Sequence, residues 1–361
     1  MVMWYYIVIC ILSLICCIIF YWKMRPNFHA LYPLIFILAF TSHFSYVMLA
    51  LSENVREALL ANKILYIGGC YLQLVGLLLI FSICKIDLPK TVRFLMAAFS
   101  TFIYACVLTS GYLPLFYKSV DIETRNGVTV LLKEYGPLHI LFYVEIVLYL
   151  GATIFALVYG WVKKPNVSRR NLVIGAFMQI FSIFAFFIGR SITKEVEWMA
   201  LADLVDEIGF LLIMDRIILY RVGDMVSSSL LKEGQFGYIS LDLNQKYLSA
   251  TDAAVRFFPE IAKNRADREI ANEELRELFA KWIEEFKSEN VSKVHTYRKG
   301  EKIYLIHISD LYDGKRRRGY LLEISDDTAH QQHMEGIERY NKNLNEELMA
   351  KTKLIQELRK K

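Results

Sequence analysis

Between Trp198 and Tyr220 the sequence reads WMALADLVDEIGFLLIMDRIILY, a largely apolar run interrupted by Asp203, Asp206 and Glu207. Ionisable side chains in such a run are costly in hydrocarbon and are kept where they face a protein interior or a cavity, which makes them candidates for a binding site. Spaced three and four apart, the three acids fall within about a 100° wedge of one helix. Other apolar runs contribute Glu145 and Arg190, with His43, Gln73 and Gln179 at greater depth. Such a set supports non-covalent recognition: Arg190 pairs with one carboxylate and the remaining groups hold a small ligand, a cationic one among the candidates. The alternative is an interhelical ion pair that only fixes packing. A retinal-type Schiff base is excluded, because this run has no lysine at its centre.

The elements that must position these residues are apolar runs long enough to cross a bilayer, for which about twenty residues suffice. They run at Met3–Trp22, Leu31–Leu51, Ile64–Cys84, Thr91–Ser110, Leu138–Trp161, Leu172–Ile192 and Trp198–Tyr220. The first lacks the basic leader of a signal peptide and reads as a retained helix. One set of connections carries Lys23 and Arg25, then Lys85, Lys90 and Arg93, then Lys163, Lys164, Arg169 and Arg170. The other set mixes bases with Glu53, Glu57, Asp121, Glu123, Glu134, Glu195 and Glu197. By the positive-inside rule the first set is cytoplasmic, which puts the N-terminus outside and everything after Tyr220 inside. In the long outer connection, Gly111–Pro137, Asn126-Gly127 lies between two β-prone stretches and predicts a tight hairpin. Such a hairpin would lie over the bundle as a lid or as a structural cap.

Beyond Val222 the pattern changes to that of a soluble α+β segment. A linker helix, Val222 to Lys232, precedes FGYISLDL, a turn at Asp242–Gln245 and a second strand at Lys246–Ala250. A short helix starts at Thr251, and an amphipathic one follows at Asn272–Glu289 with Leu275, Leu278, Phe279, Trp282, Ile283 and Phe286 on one face. Three strands come next, Val291–Arg298, Lys302–Leu311 and Arg317–Ile324, with turns at Lys299-Gly300 and Asp313-Gly314. From Asp327 to Lys361 a last helix carries Met334, Ile337, Asn341, Leu344, Leu348, Lys351, Ile355 and Leu358 at alternating spacings of three and four. That is the coiled-coil period, and Asn341 on the seam would favour two strands in fixed register. A single helix packed back on the preceding domain is the alternative.

The composition agrees with a membrane class: 55% of the 361 residues are hydrophobic and 14% aromatic. The net charge of +5 comes from dispersed Lys and Arg, and the one dense run, Lys315–Arg318, is short, so nucleic acid is not an expected partner. That run reads as a solvated turn, with anionic lipid headgroups as the sharper alternative. All six cysteines lie inside apolar runs, where they serve as small packing residues rather than disulfides or metal ligands.

With Lys133-Glu-Tyr-Gly-Pro137 before the fifth run and Ile218-Leu-Tyr-Arg221 closing the seventh, the pieces in this order resemble bacterial sensor proteins with a histidine-kinase-type N-terminal seven-helix membrane region, a PAS-like domain and a signalling coiled coil. Gly237-Tyr-Ile-Ser-Leu-Asp-Leu-Asn244 is similar to the opening of a PAS domain, and Gly319-Tyr-Leu-Leu-Glu-Ile-Ser-Asp-Asp-Thr328 to its closing strand and Asp-x-Thr cap. Gln245 and Ser249-Ala-Thr-Asp252 depart from the usual PAS pattern, and no cofactor is expected, although His295, Tyr304 and His307 would be the residues to line a pocket.

The implied fold class is a membrane all-α seven-helix bundle over residues 1–222, a soluble α+β PAS-like domain over 223–326 and a coiled-coil helix over 327–361. The implied function is signal transduction. A small ligand from outside is bound by Glu145, Arg190, Asp203, Asp206 and Glu207 in the outer half of the bundle, and its presence is relayed to a homodimeric stalk. The chain is expected in the bacterial plasma membrane, in contact with membrane lipid. Such stalks feed a histidine kinase, a diguanylate cyclase or a cyclic-dinucleotide phosphodiesterase. The sequence has no phospho-acceptor His box, no nucleotide-binding Gly-rich loop and no paired His-Asp metal site, so no catalysis is expected of these residues. A membrane transporter with a regulatory cytoplasmic domain is the competing class. Against it stand the absence of an internal repeat or of Gly/Pro-broken helices.

Overall fold

A computed structural model describes residues 2–24, 30–165, 167–189, 196–217, 236–288, 294–313 and 316–359. The chain divides into two compact units, Met1–Tyr220 and Arg221–Lys361.

The first unit is helical. Its helices are α1 (Val2–Lys23), α2 (Leu31–Leu51), α3 (Val55–Ile83), α4 (Lys90–Leu108), α5 (His139–Lys163), α6 (Arg169–Phe184) and α7 (Trp198–Ile217). Among the described residues, α1 to α5, and α6 together with its continuation to Gly189, are long and apolar enough to cross a membrane. Large apolar side chains such as Ile37, Phe94, Leu95, Val147, Phe155 and Ile180 are exposed on them. In water such a surface would be unfavourable; in a bilayer it is the lipid contact. Helix α7 is of spanning length, but its charged residues, Asp203, Asp206, Glu207, Asp215 and Arg216, keep it out of that apolar class, and it packs on α1, α2 and α6.

Two helices differ from the sequence reading. The third starts at Val55 rather than Ile64, because Asn54 caps it by accepting from the Glu57 amide at 3.0 Å. The sixth widens after Phe184 into a π-type turn, Ala185–Gly189, which carries Phe186 and Phe187.

Between α4 and α5 the expected hairpin forms, β1 (Tyr117–Arg125) against β2 (Val128–Tyr135). Asn126 and Gly127 both have positive φ, 52° and 77°, the conformation a type I′ turn demands. Phe116, Tyr117, Val128 and Leu131 are buried beneath it. Thr129 Oγ1 donates to Ser52 O at 2.6 Å, and Asn62 Nδ2 donates to Tyr117 Oη at 3.4 Å, tying the hairpin to α2 and α3. The Gly136-Pro137 step has a steric cause, since a Cβ on residue 136 would lie 2.3 Å from Leu115 O.

The second unit is a five-stranded antiparallel sheet. Its strands are β3 (Phe236–Asp242), β4 (Tyr247–Ala250), β5 (Val294–Lys299), β6 (Lys302–Asp313) and β7 (Arg316–Asp326), in the order β4-β3-β7-β6-β5. Ile239, Leu241, Ile306, Ile308, Leu322 and Ile324 form the core with Phe279, Trp282 and Ile283 of the amphipathic helix, α9 (Glu273–Lys287). The short helix α8 (Asp252–Phe257) precedes it, capped by Thr251. Gln245 sits at φ 62°, so the turn after β3 adopts left-handed geometry without glycine, the residue best suited to it. Tyr304 is part of the core, His295 stacks on Trp282 at 5.4 Å, and His307 is exposed, so the three do not converge on a pocket. Gly314 and the linker Val222–Lys232 lie outside the described residues.

The last helix, α10 (Thr328–Arg359), is fastened at its start. Thr328 Oγ1 is 2.5 Å from Asp326 Oδ1 and accepts from the Ile303 amide at 3.0 Å, while Lys302 Nζ lies 3.2 Å from Asp326 Oδ2. The Thr328 hydroxyl above all, with the Lys302 ammonium, holds the Asp326 carboxyl below the usual carboxylate range. A lowered folded pKa contributes stability that is present above the unfolded value and is lost as the pH falls through the folded one. The start of α10 is therefore expected to loosen below about pH 4, and Thr328→Val to move that loosening to higher pH, read by hydrogen exchange of residues 326–332.

Candidate functional site

The acids of α7 diverge because residues 206 and 207 are about 100° apart on a helix, so they address different neighbours. Asp203 and Asp206 face cavities within the bundle. The larger, about 180 Å³, lies between the hairpin and the helices, with Val128–Leu131 and Lys133 of β2 on one side and Asp203 on another. The smaller, about 80 Å³, contains Asp203 and Asp206 together with Gln179, Ser182 and Thr153 in its wall. Both share Leu72, Gln73, Ile146, Phe186, Met199 and Asp203, so they adjoin across one wall, with Asp203 in it. The π-type turn explains Phe186: the wider turn delivers its ring to that wall.

Glu207 is fully buried and faces the other way, toward α1 and α2. Ser13 Oγ donates to Glu207 Oε1 at 2.9 Å. His43 Nε2 contacts Ala200 O at 2.9 Å; a carbonyl only accepts, so Nε2 carries hydrogen and Nδ1 of the neutral ring is a bare acceptor. Nδ1 lies 3.9 Å from Glu207 Oε2, beyond hydrogen-bond length, and neither atom meets another partner. One proton, on the carboxyl or on the ring, would complete that contact. Glu207 and His43 thus join three helices and are absent from both cavity walls.

Glu145 is also elsewhere, buried on α5 against α4. Ser100 Oγ is 2.5 Å from Glu145 Oε1 and 3.0 Å from Tyr149 Oη, and Tyr149 Oη donates to Met96 O at 3.0 Å. These three contacts need three hydrogens, and the two hydroxyls supply only two. A protonated Glu145 donating to Ser100 closes the chain, with Ser100 donating to Tyr149. Glu145→Gln, which also donates, is expected to leave stability within about 1 kcal/mol, whereas Glu145→Leu leaves the buried Ser100 oxygen without its donor and costs about 1–3 kcal/mol. Thermal unfolding of the detergent-solubilised chain measures the difference.

Of the five residues expected to share one ligand surface, the structure brings Asp203 and Asp206 together and sets Glu145 and Glu207 in separate networks. Arg190 lies outside the described residues. Gln73 and Gln179 are in the cavity walls. Sequence reasoning missed the aromatic lining, Tyr6, Tyr46, Tyr66, Phe142 and Phe186, because rings in apolar runs carry no mark of what they face. Ser13 and Ser100 were detectable as polar interruptions of spans.

The sequence matches the family described as the N-terminal 7TM region of histidine kinase over residues 5–206, more than half of the chain. The chain belongs to that family. The matched segment of this 7TM region contains the hairpin, both cavities' acids, His43, Gln73, Glu145 and Gln179, and ends one residue before Glu207. A comparison with curated proteins returns no match. Family and apolar helices together make the chain a multi-pass membrane protein with the sensor region of a histidine kinase.

Proposed function

We propose that the chain is a transmembrane receptor. A small molecule from outside occupies the cavity beneath the hairpin and shifts α7, which crosses the membrane as the seventh span. The shift passes through a PAS-like domain to a homodimeric coiled coil, and a separate output domain performs the chemistry, with none catalysed by these residues. The observation that carries this reading is Asp203: it stands in the wall between the two cavities on the helix that leads, by chain order, into the soluble unit.

Several features support the finer points. The basic residues Lys23, Lys90, Lys163 and Arg169 end or begin helices on the side away from the hairpin in chain order, consistent with a hairpin outside and a cytoplasmic C-terminus. Two strands, helices and three strands, closed by the Asp326–Thr328 contact, agree with the PAS-like reading. On α10, Met334, Ile337, Leu344 and Leu348 are each more than 40% exposed at heptad spacing, an apolar stripe suited to a second copy.

The test is disulfide crosslinking of Leu344→Cys in native membranes, alone and with Asp203→Asn. The expected result is a crosslinked dimer whose yield changes when Asp203 is neutralised. A monomer under all conditions, or a yield indifferent to Asp203, sinks the relay. Substrate accumulation in vesicles would favour the transporter class instead.

A further inference from the structure

Resting on that cavity as the ligand site, we propose that its ligand is a small organic ammonium ion, with the charged nitrogen held by Asp203 and Asp206 and an apolar body lodged among the rings under the hairpin.

The two cavities differ in the charges their walls carry. The smaller one has Gln73, Tyr149, Thr153, Gln179, Ser182, Asp203 and Asp206 in its wall, and no basic side chain among the described residues. Asp206 Oδ1 is buried there, and the Ser182 hydroxyl acts on that carboxyl without completing a hydrogen bond to Oδ1. A buried carboxylate oxygen left in that condition is costly, and a donor from a ligand removes the cost. Among the described residues, an anion in the smaller cavity would meet two carboxylates and no counter-charge, so their electrostatics favour a cation. The larger cavity adds Glu197 and a single base, Lys133, whose Nζ is already 5.7 Å from the centre of the Tyr117 ring.

Size and shape agree. A dry cavity of roughly 150 Å³ holds a benzene molecule. The larger cavity, about 180 Å³, therefore accommodates a six- to nine-atom apolar body (on the order of a hexyl or phenethyl group). Its walls include Tyr46, Tyr66 and Phe142, with Tyr66 and Phe142 meeting edge-on at 5.0 Å, faces that favour both alkyl and cationic groups.

The experiment uses the full chain purified in detergent and titrated with hexylammonium, phenethylammonium, hexanol and hexanoate, with thermal unfolding as the readout. The two ammonium ions are expected to raise the unfolding temperature in a saturable way. Hexanol and hexanoate are expected to do so at least tenfold more weakly. Asp203→Asn and Asp206→Asn should each weaken ammonium binding about tenfold or more, the scale of a lost charge-assisted hydrogen bond. Glu207→Gln, outside the cavities, should leave it unchanged. Should the Asn variants fail to fold, the contrast between hexylammonium and hexanol in the unaltered chain still decides. Preferential binding of hexanoate or hexanol in the cavity overturns the ammonium assignment and leaves the cavity as a ligand site. Failure of all four probes to bind overturns both readings, the cavities then being packing defects only.

Discussion

Glu207→Ala is expected to cost about 3 kcal/mol of bundle stability, and Glu207→Gln close to none. The carboxyl accepts from Ser13 on α1 and faces the bare Nδ1 of His43 on α2, and all three residues are buried to 1% exposure or less. Alanine removes the acceptor for one hydroxyl, leaves a buried imidazole nitrogen with nothing opposite, and opens a void. Stranded polar groups and a small cavity each cost about 1–3 kcal/mol. Glutamine keeps an oxygen for Ser13 and offers an N–H to Nδ1, which is what a protonated glutamate does. Chemical or thermal unfolding in mild detergent gives the comparison. Equal loss in both variants would mean that charge, rather than hydrogen bonding, holds the three helices together.

Gly68→Ala is expected to destabilise the close contact between α2 and α3, and Ser42→Ala to rescue it. Helices α2 and α3 approach so closely that a Cβ at position 68 would lie 1.7 Å from Ser42 Oγ, with Ser42 Cβ at 3.1 Å and Leu38 O at 3.3 Å beyond it. Overpacking of this kind costs about 1–3 kcal/mol, and here the helices must separate at the edge of the larger cavity, which Gly68 lines. Removing Oγ clears the severe overlap and gives up only a bond from Ser42 to Leu38 O within its own helix. The double variant is therefore expected to regain most of the stability. A double-mutant cycle measures a coupling of about 1 kcal/mol or more, while additive losses would show that α3 rolls rather than separates.

Much of the framework was legible in the chain. Of the seven apolar runs, six correspond among the described residues to helices long and apolar enough to span, because length and polarity alone govern what can lie in lipid. Asn126-Gly127 announced its hairpin, since few residue pairs accept two positive φ angles in succession. The amphipathic stripe of α9 is buried where Leu275, Phe279, Trp282 and Ile283 predict. Boundaries were less accessible: the polar first turns of α3 and the wide turn after Phe184 depend on capping and packing, which hydropathy does not record.

The site was legible only as a set of residue types. Glu145, Asp203, Asp206 and Glu207 were conspicuous because charge in an apolar run is rare, but their rarity does not say which way each side chain points. Helical spacing placed the acids of α7 within one wedge, and the neighbouring helices divided it: α1 and α2 took Glu207 through Ser13 and His43, and the cavities beside α3, α5 and α6 took Asp203 and Asp206. By itself the sequence determined that this is a multi-pass membrane chain with buried acids followed by an α+β segment, because those properties follow from local polarity and period. Which acids meet a cavity and which meet another helix was decided by the tertiary structure, because that depends on contacts between residues as far apart as Ser13 and Glu207, which no local pattern encodes.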